Sequence, residues 1–168
     1  MQKHLKLYNP IHFVASGFGV GLIPFAPGTW GTLIAIPFYY YLCNLPLAEY
    51  GAVVVLAFGI GVWVCEKATR YLGVYDHPSI VWDEVVGYWL TMLAMPHHWV
   101  WIAAGFVLFR IFDIWKPWPI YQVDQGMRNG LGIMLDDALA AVYASLVLRV
   151  IILTMLHFKL GFGILYYG

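Results

Sequence analysis

The sequence predicts an all-α fold, a polytopic membrane bundle of about four to five apolar helices. Hydrophobic residues make up 62% of the 168 residues and charged residues only 11%, whereas a soluble domain has roughly 25% charged residues. The mean hydropathy of +0.74 is also that of a membrane protein. The length predicts a single integral-membrane domain over residues 1–168.

The N-terminal third combines an irregular segment with two apolar helices. Residues 1–10 form an amphipathic or irregular start, with no apolar segment typical of a cleavable signal peptide. Residues 16–31 contain too many glycines and prolines for a regular helix. They form either a tightly packed turn or a loop whose backbone N–H groups bind an anion, helped by a helix that starts near residues 29–32. Apolar helices are expected over 32–45 and 51–65.

The rest of the chain alternates short apolar runs with polar blocks. The runs 85–95 and 99–109 would each cover only about 16 Å, and His97 and His98 between them are expected to be solvated. Residues 110–132 form a second polar block, in which Pro117 and Pro119 end any helix that begins before Asp113 and three glycines are expected to keep the rest irregular. A last apolar helix is expected over 138–156, in which Arg149 snorkels or pairs with a buried acid. An aromatic tail follows over residues 158–168.

Local pairings are expected at two places in these elements. Glu66 and Arg70 have the i, i+4 spacing of a surface ion pair on a helix end. Cys43 and Cys65 lie in apolar runs without CxxC spacing, which predicts free thiols. The formal net charge is zero, so electrostatics give no support for a nucleic-acid partner.

The distribution of positive charge predicts the orientation. With Lys3 and Lys6 on the cytoplasmic side, alternation of the spans brings the other polar clusters to that same face. The opposite face receives residues 44–50 and 96–98, which contain no Lys or Arg, in agreement with the positive-inside rule. The sequence therefore predicts a cytoplasmic-face site built from loops and helix ends.

Carboxylates gather in three blocks, each beside an apolar run. Such groups are costly to desolvate unless a cation or hydrogen bonds compensate. Mg²⁺ prefers oxygen ligands and is often shared with a substrate phosphate, and basic residues in the same blocks could clamp that phosphate. The pattern indicates phosphoryl chemistry on a lipid; the alternative for single acids is a helix cap paired with a base. The candidate metal ligands are Asp83, Glu84, Asp113, Asp136 and Asp137, all but Asp113 placed at helix starts, where the dipole favours the ionised form.

Four ordered motifs resemble the phosphatidylglycerophosphatase A family over about residues 12–155. They are GLIPFAPGTWGTL (21–33), DHPSIVWDEVVG (76–87), FDIWKPWPI (112–120) and GLGIMLDD (130–137). The resemblance implies a Mg²⁺-dependent phosphatase of the bacterial inner membrane that converts phosphatidylglycerophosphate into phosphatidylglycerol and phosphate. Members often carry a histidine and a glycine where this chain has Arg128 and Asn129, so a role of that histidine would pass to Arg128 or be absent.

Residue chemistry and resemblance together predict the roles at the site. One or two Mg²⁺ ions would bridge the phosphate and activate a water for in-line attack, and a phospho-aspartate route stays open. His77 would protonate the leaving glycerol oxygen or merely cap its turn. The catalytic candidates are Asp83, Asp113, Lys116, Asp137 and His77. The phosphate-binding candidates are Gly28, Thr29, Arg110, Lys116 and Arg128. Trp82, Trp89, Trp115 and Trp118 are expected near the membrane interface, around the lipid chains.

The main alternative is a small ion- or proton-coupled transporter whose acids line a pathway. A transporter would be expected to carry carboxylates within its spans and on both faces. Glu49 is the one acid predicted on the far face, and no acid lies at the centre of a span. A CDP-alcohol phosphotransferase is a further alternative, but its DGx₂ARx₈Gx₃Dx₃D pattern is absent. The sequence gives no oligomeric state.

Overall fold

A computed structural model describes residues 4–158, in which all regular secondary structure is helical and no β-strand occurs. One 3-10 turn, Val20–Leu22, precedes the second of seven α-helices. The helices are α1 (Pro10–Ala15), α2 (Pro27–Leu42), α3 (Leu47–Leu72), α4 (Trp82–Thr91), α5 (Trp99–Trp115), α6 (Ile120–Gly126) and α7 (Gly130–His157). The predicted all-α fold is confirmed; Lys3 and most of the predicted aromatic tail lie outside the described residues.

Helices α3 and α7 are long and apolar enough to cross a membrane. They contain 26 and 28 residues, and their most apolar segments have mean hydropathies of 1.9 and 2.3. At 1.5 Å per residue each exceeds the ~30 Å of a bilayer core. Their outward sides expose large apolar residues, among them Val55 and Leu56 on α3 and Val150 and Leu153 on α7. Such surface is suited to lipid rather than to water, and the chain is a membrane protein.

Helix α7 is the centre of the bundle, and α3, α4, α5 and α6 all pack against it. Glycines allow the close approaches. A Cβ added at Gly61 of α3 would lie 2.9 Å from Trp82 and closer still to Met134 of α7, and one added at Gly87 of α4 would overlap the Phe109 ring of α5. These close contacts fix the positions of α3, α4, α5 and α7 relative to one another.

The glycine-rich stretch is irregular as predicted, although the helix after it starts earlier. Gly17, Phe18 and Gly19 all have positive φ, and the 3-10 turn follows them. Helix α2 then begins at Pro27 rather than near residues 29–32. Proline suits the first helical position because its missing N–H would have no intrahelical partner there. This earlier start places Gly28 and Thr29 in the first turn of α2.

The expectation of an irregular segment from the prolines to Gly132 is wrong over most of its length. Helix α5 does end at Trp115, before the prolines, but α6 follows and buries Ile120 and Asp124 on one side. Helix α7 begins at Gly130, where the side chain of Asn129 accepts a 2.9 Å hydrogen bond from the Gly132 N–H. This N-terminal cap offsets the low helix propensity of the two glycines. The last helix is therefore about two turns longer than predicted.

Two interface expectations are also corrected. Trp82 and Trp89 are buried, since α4 lies inside the bundle, and their indole N–H groups donate to the carbonyl oxygens of Ala57 and Ala35. Trp115 and Trp118 are exposed, at 71% and 73%. A buried Trp with a satisfied N–H is a packing residue, so only the second pair has the exposure that an interfacial aromatic needs.

Three polar side chains make local contacts around the end of α4 and the start of α5. Arg149 is exposed and donates a 3.0 Å hydrogen bond to the Leu93 carbonyl, so that of its two expected arrangements the pairing with a buried acid is wrong. His98 caps α5 by accepting from the Val100 N–H at 3.3 Å, and the ring of His97 stacks on that of Tyr39. His97 is an exposed loop residue, as expected, whereas His98 is half-buried. Cys43 and Cys65 are free thiols, as predicted.

Candidate active site

Three carboxylates from two helices meet where the ends of α4 and α7 pack together. Asp83 and Glu84 lie in the first turn of α4, and Asp137 lies in the second turn of α7. One carboxylate oxygen from each of the three lies within 4.8 Å of the others. We call Asp83, Glu84 and Asp137 the carboxylate cluster.

Each member of the carboxylate cluster has a buried oxygen without a hydrogen-bond partner. These atoms are Asp83 Oδ1, Glu84 Oε2 and Asp137 Oδ2, and the Asp83 and Asp137 residues are only 6% and 3% exposed. Ionised carboxylates so placed are strongly destabilising unless a cation neutralises them. Converging oxygen ligands at this separation fit a hard divalent cation such as Mg²⁺.

Arg110 borders the cluster from the last turns of α5. Its Nη1 donates to the Asp113 carboxylate one turn further on and lies 3.7 Å from Glu84 Oε1. Its Nε is buried and has no hydrogen-bond partner. The guanidinium therefore partly balances Glu84 and Asp113 and keeps one donor for another acceptor. Asp113 also lies near Asp137, which links it to the cluster.

The start of α2 completes this side of the site through Gly28. A Cβ at Gly28 would overlap Glu84 Oε1 and would lie 3.0 and 3.1 Å from the two Nη atoms of Arg110. Only glycine allows the backbone to approach so closely. The positive end of α2, with Thr29 next in its first turn, therefore faces the same acids and Arg110.

Lys116 organises a second charged group beside the first. Its Nζ lies 2.6 Å from Asp136 Oδ2 and 2.7 Å from Asp124 Oδ1. Burial would lower the pKa of Lys116, but Asp136 and Asp124 outweigh it, so that this pKa is raised. Burial opposes ionisation of Asp124 as well, yet the Lys116 contact keeps its pKa below the usual value. We call Lys116, Asp124 and Asp136 the lysine cluster.

The comparisons with known proteins decide the family. A family model described as Phosphatidylglycerophosphatase A matches residues 13–152, which include every residue of both clusters. The chain belongs to the phosphatidylglycerophosphatase A family. It is 50% identical over 145 residues to phosphatidylglycerophosphatase A of Escherichia coli (strain K12), covering 86% of this chain and 84% of that protein.

Two further relatives agree with this assignment. The phosphatidylglycerophosphatase A of Haemophilus influenzae is 48% identical over 147 residues, covering 86% of this chain and 90% of the relative. A putative phosphatidylinositol-3-phosphatase of Bacteroides thetaiotaomicron is 39% identical over 145 residues, covering 82% and 90%. No solved structure matches the chain. The resemblance to phosphatidylglycerophosphatase A in the four motifs is therefore confirmed.

The structure brings together most of the residues predicted for a phosphatidylglycerophosphatase A site, in two groups. Gly28, Arg110 and Asp113 surround the carboxylate cluster, whereas Asp136 and Lys116 pair with each other. Arg128 lies exposed between α6 and α7, outside both clusters. His77 caps its turn, where its Nδ1 accepts from the Ser79 N–H at 3.2 Å. Their predicted roles remain predictions.

The helix dipole does not act on all four of the acids that were predicted at helix starts. Asp83 and Glu84 do lie in the first turn of α4, near the positive end of its dipole. Asp136 and Asp137 lie in the second turn of α7, because that helix starts at Gly130. The dipole effect falls off within the first turn. Asp136 is balanced instead by Lys116, and Asp137 has no such partner for its buried Oδ2.

Two residues that the sequence analysis left out of the site belong to this region. Asp124 of α6 is buried and binds Lys116. It follows the apolar Ile120 by four residues, and this helical spacing could have indicated that Asp124 shares the buried face. Glu66 accepts a 2.7 Å hydrogen bond from the Gly130 N–H. No local pattern marks this contact, because the two residues are far apart in the sequence.

Proposed function

We propose that the chain is a membrane phosphatase that hydrolyses phosphatidylglycerophosphate to phosphatidylglycerol and inorganic phosphate. The observation that carries the proposal is the carboxylate cluster, whose three buried free oxygens lie beside an arginine with a free donor. Membership of the phosphatidylglycerophosphatase A family supplies the substrate. A phosphomonoester needs both features: ligands for a cation and a donor for its own oxygens.

Asp83, Glu84 and Asp137 would hold Mg²⁺, with Asp113 close enough to Asp137 to assist. When bound, Mg²⁺ would neutralise negative charge on the phosphate and make a water molecule more acidic. The protein contribution is placement: the packed starts of α4 and α7 fix the three carboxylates before any substrate arrives. Such preorganisation avoids reorganisation of the site during the reaction.

Arg110 would bind the equatorial phosphate oxygens through its unpartnered Nε, while Nη1 stays with Asp113 and Glu84. The contacts of Nη1 would hold the guanidinium in one orientation and leave the Nε N–H for the substrate. Backbone N–H groups in the first turn of α2, at Gly28 and Thr29, lie on the same side and would add weaker donors. Together these groups would stabilise charge that grows on the phosphoryl oxygens.

His77 remains the candidate for the proton donor to the leaving glycerol oxygen. Its Nδ1 accepts from Ser79, so that in the neutral ring the proton is carried by Nε2. The same hydrogen bond would fix the orientation of the ring. A general acid of this kind contributes typically 10²–10⁴-fold to a rate.

We place the protein in the bacterial inner membrane as a multi-pass protein with this site at the cytoplasmic face. Besides α3 and α7, helix α5 has 17 residues, about 26 Å, and carries exposed Trp99 and Trp115 at its two ends. Tryptophan is enriched at both interfaces of a membrane. Helices α2 and α4 would complete the four to five spans.

The transporter alternative is favoured by no observation on the described residues. Apart from Glu49, their acids lie at one end of the bundle, five of them in the two clusters, and Glu49 lies at the other end. The name of the Bacteroides relative refers to another lipid phosphomonoester, a phosphatidylinositol 3-phosphate. The class of substrate would thus be a lipid phosphomonoester, with phosphatidylglycerophosphate expected to react fastest.

Phosphate release from the detergent-solubilised protein tests the proposal. Phosphatidylglycerophosphate would be supplied with Mg²⁺ or with EDTA to wild type, Asp83→Asn and Asp137→Asn. Glu49→Gln is the matched control, because it removes an exposed carboxylate at the opposite end. We expect Mg²⁺-dependent release by wild type and by the control, with a loss of at least about 10²-fold in the other two. Folded wild type without release would overturn the proposal, and ion-transport assays would follow.

A further inference from the structure

The two clusters share a border but differ in how their acids are compensated. Asp136 and Asp137 are consecutive, and each belongs to a different cluster. In the lysine cluster two carboxylates share one ammonium, and its distances of 2.6 and 2.7 Å are those of charge-assisted hydrogen bonds. Around the carboxylate cluster the Arg110 guanidinium pairs with Glu84 and Asp113, whereas Asp83 and Asp137 have no ion pair with a described basic side chain. The two clusters therefore differ in their need for a further cation.

The oxygens of the lysine cluster are already occupied. Asp136 Oδ2 accepts from Lys116, and its Oδ1 accepts from the Asp137 N–H at 3.0 Å. Asp124 Oδ1 accepts from Lys116, and its Oδ2 accepts from the Gln125 side chain at 2.9 Å. In contrast, each acid of the carboxylate cluster keeps one buried oxygen without a partner. Of the two clusters, only the carboxylate cluster therefore has oxygens that are free to bind a cation.

Many phosphoryl-transfer sites hold two metal ions about 3.5–4 Å apart, bridged by ligands they share. The consecutive residues Asp136 and Asp137 could each bind one ion of such a pair. Here the position beside Asp136 is filled by the ammonium of a lysine, which is a compact point charge of the kind that can replace a cation. Lys116 directly follows the last residue of α5 and has a left-handed backbone conformation, with φ +43°. From this position its side chain reaches Asp124 and Asp136.

We propose that the site binds one divalent cation, in the carboxylate cluster, and that Lys116 is a resident cation in the place of a second. Asp124 is then a positioning residue: it holds Lys116 against Asp136 and ties α6 to α7. The inference rests on the proposed function for the identity of the substrate, although the number of bound ions is independent of turnover. It reassigns Asp136 from metal ligand to partner of Lys116.

Counting bound Mn²⁺ tests this inference without an activity assay. The full-length protein in detergent is titrated with Mn²⁺, and the EPR signal of free aqueous Mn²⁺ gives the number of ions bound per chain. Wild type is expected to bind one ion, and Asp83→Asn to lose it. Lys116→Met removes the ammonium but keeps the length of the side chain, and is expected to bind two ions. Lys67→Met, at an exposed lysine of α3, is the control and should stay at one.

The wild-type count decides the matter even if Lys116→Met fails to fold. Two Mn²⁺ ions per wild-type chain would overturn the inference, and none would overturn it together with the metal ligands of the proposed function. Asp136→Asn is a second check, because it should still bind one ion. If wild type binds one ion but releases no phosphate from phosphatidylglycerophosphate, the inference of a single ion is supported and the proposed substrate is wrong.

Discussion

The Glu66 carboxylate on α3 accepts a 2.7 Å hydrogen bond from the backbone N–H of Gly130, the first residue of α7. The same carboxylate pairs at 2.6 Å with Arg70, one turn further along α3. A Cβ at Gly130 would overlap the backbone of Val62 and Glu66, so the two helices touch at this point. Glu66 therefore acts as an anionic cap at the start of the helix that carries Asp136 and Asp137.

Glu66→Ala should destabilise the protein more than Arg70→Ala. The first substitution leaves the Gly130 N–H without its acceptor and should cost about 1–2 kcal/mol, as loss of a helix cap does. The second removes an exposed ion pair and should cost at most about 1 kcal/mol. Thermal unfolding in detergent, with Glu49→Ala as a control, measures both. Equal losses in the two variants would contradict the role of Glu66 as a cap.

Asp83→Asn should raise the melting temperature of the metal-free protein while abolishing activity. In EDTA the three acids of the carboxylate cluster are buried close together without a cation, and removal of one charge relieves repulsion and desolvation. Mg²⁺ should raise the melting temperature of wild type, because a ligand that binds only the folded state stabilises it. It should have little effect on the variant.

The control for this pair of measurements is Glu49→Gln, which should behave as wild type with and without Mg²⁺. A lower melting temperature of Asp83→Asn in EDTA would mean that Asp83 is held by protein contacts rather than reserved for a cation. The two measurements are independent. The comparison in EDTA requires no bound metal, and the effect of Mg²⁺ on the melting temperature requires no substrate.

The sequence predicted the members of the carboxylate cluster because acids beside apolar runs are costly and therefore informative. Asp83, Glu84 and Asp137 each follow that rule, and the motifs around them confirmed the family. The division into two clusters was not predictable, since it depends on which oxygens Lys116 and Arg110 reach. Except for the contact of Arg110 with Asp113 within α5, those contacts join different elements, and a single sequence carries no pairing information for them.

Local patterns failed where tertiary contacts outweigh them. The start of α7 contains Gly130 and Gly132, which predict an irregular segment, yet capping by Asn129 and Glu66 makes it helical. Arg149 lies in an apolar run, which suggests either snorkelling or a buried acid as partner, and its exposed side chain donates to the backbone carbonyl of Leu93 just after α4. In each case the deciding group lies on another element or just outside the helix.

Gly28→Ala should lower activity strongly, whereas Gly51→Ala should not. A methyl group at Gly28 meets Glu84 Oε1 and the Arg110 guanidinium, so one of these groups or the start of α2 must shift. Shifts of this size at a reacting centre can cost 10²-fold. A Cβ at Gly51 in α3 meets nothing within 4 Å and should stabilise its helix by about 0.5–1 kcal/mol. Unchanged kcat/KM in folded Gly28→Ala would remove α2 from the site.

Three buried tyrosines at the other end of the bundle give a last prediction, on stability alone. The hydroxyl groups of Tyr50 and Tyr88 donate to backbone carbonyls at 2.8 and 3.0 Å, whereas that of Tyr39 is buried without a partner. Removing a satisfied hydroxyl loses one buried hydrogen bond and should cost about 1 kcal/mol in Tyr50→Phe and Tyr88→Phe. Tyr39→Phe removes an uncompensated polar group instead, and should be neutral or stabilising.

Thermal unfolding of the three variants in one detergent compares substitutions of identical chemistry at similar burial. The rings remain, so the packing of Tyr39 on Tyr88, with centroids 6.3 Å apart, is retained throughout. Differences among the variants therefore report the hydroxyl hydrogen bonds alone. If Tyr39→Phe lost as much stability as Tyr50→Phe, the Tyr39 hydroxyl would have to be satisfied in the folded protein, by a group other than the described side chains and backbone around it.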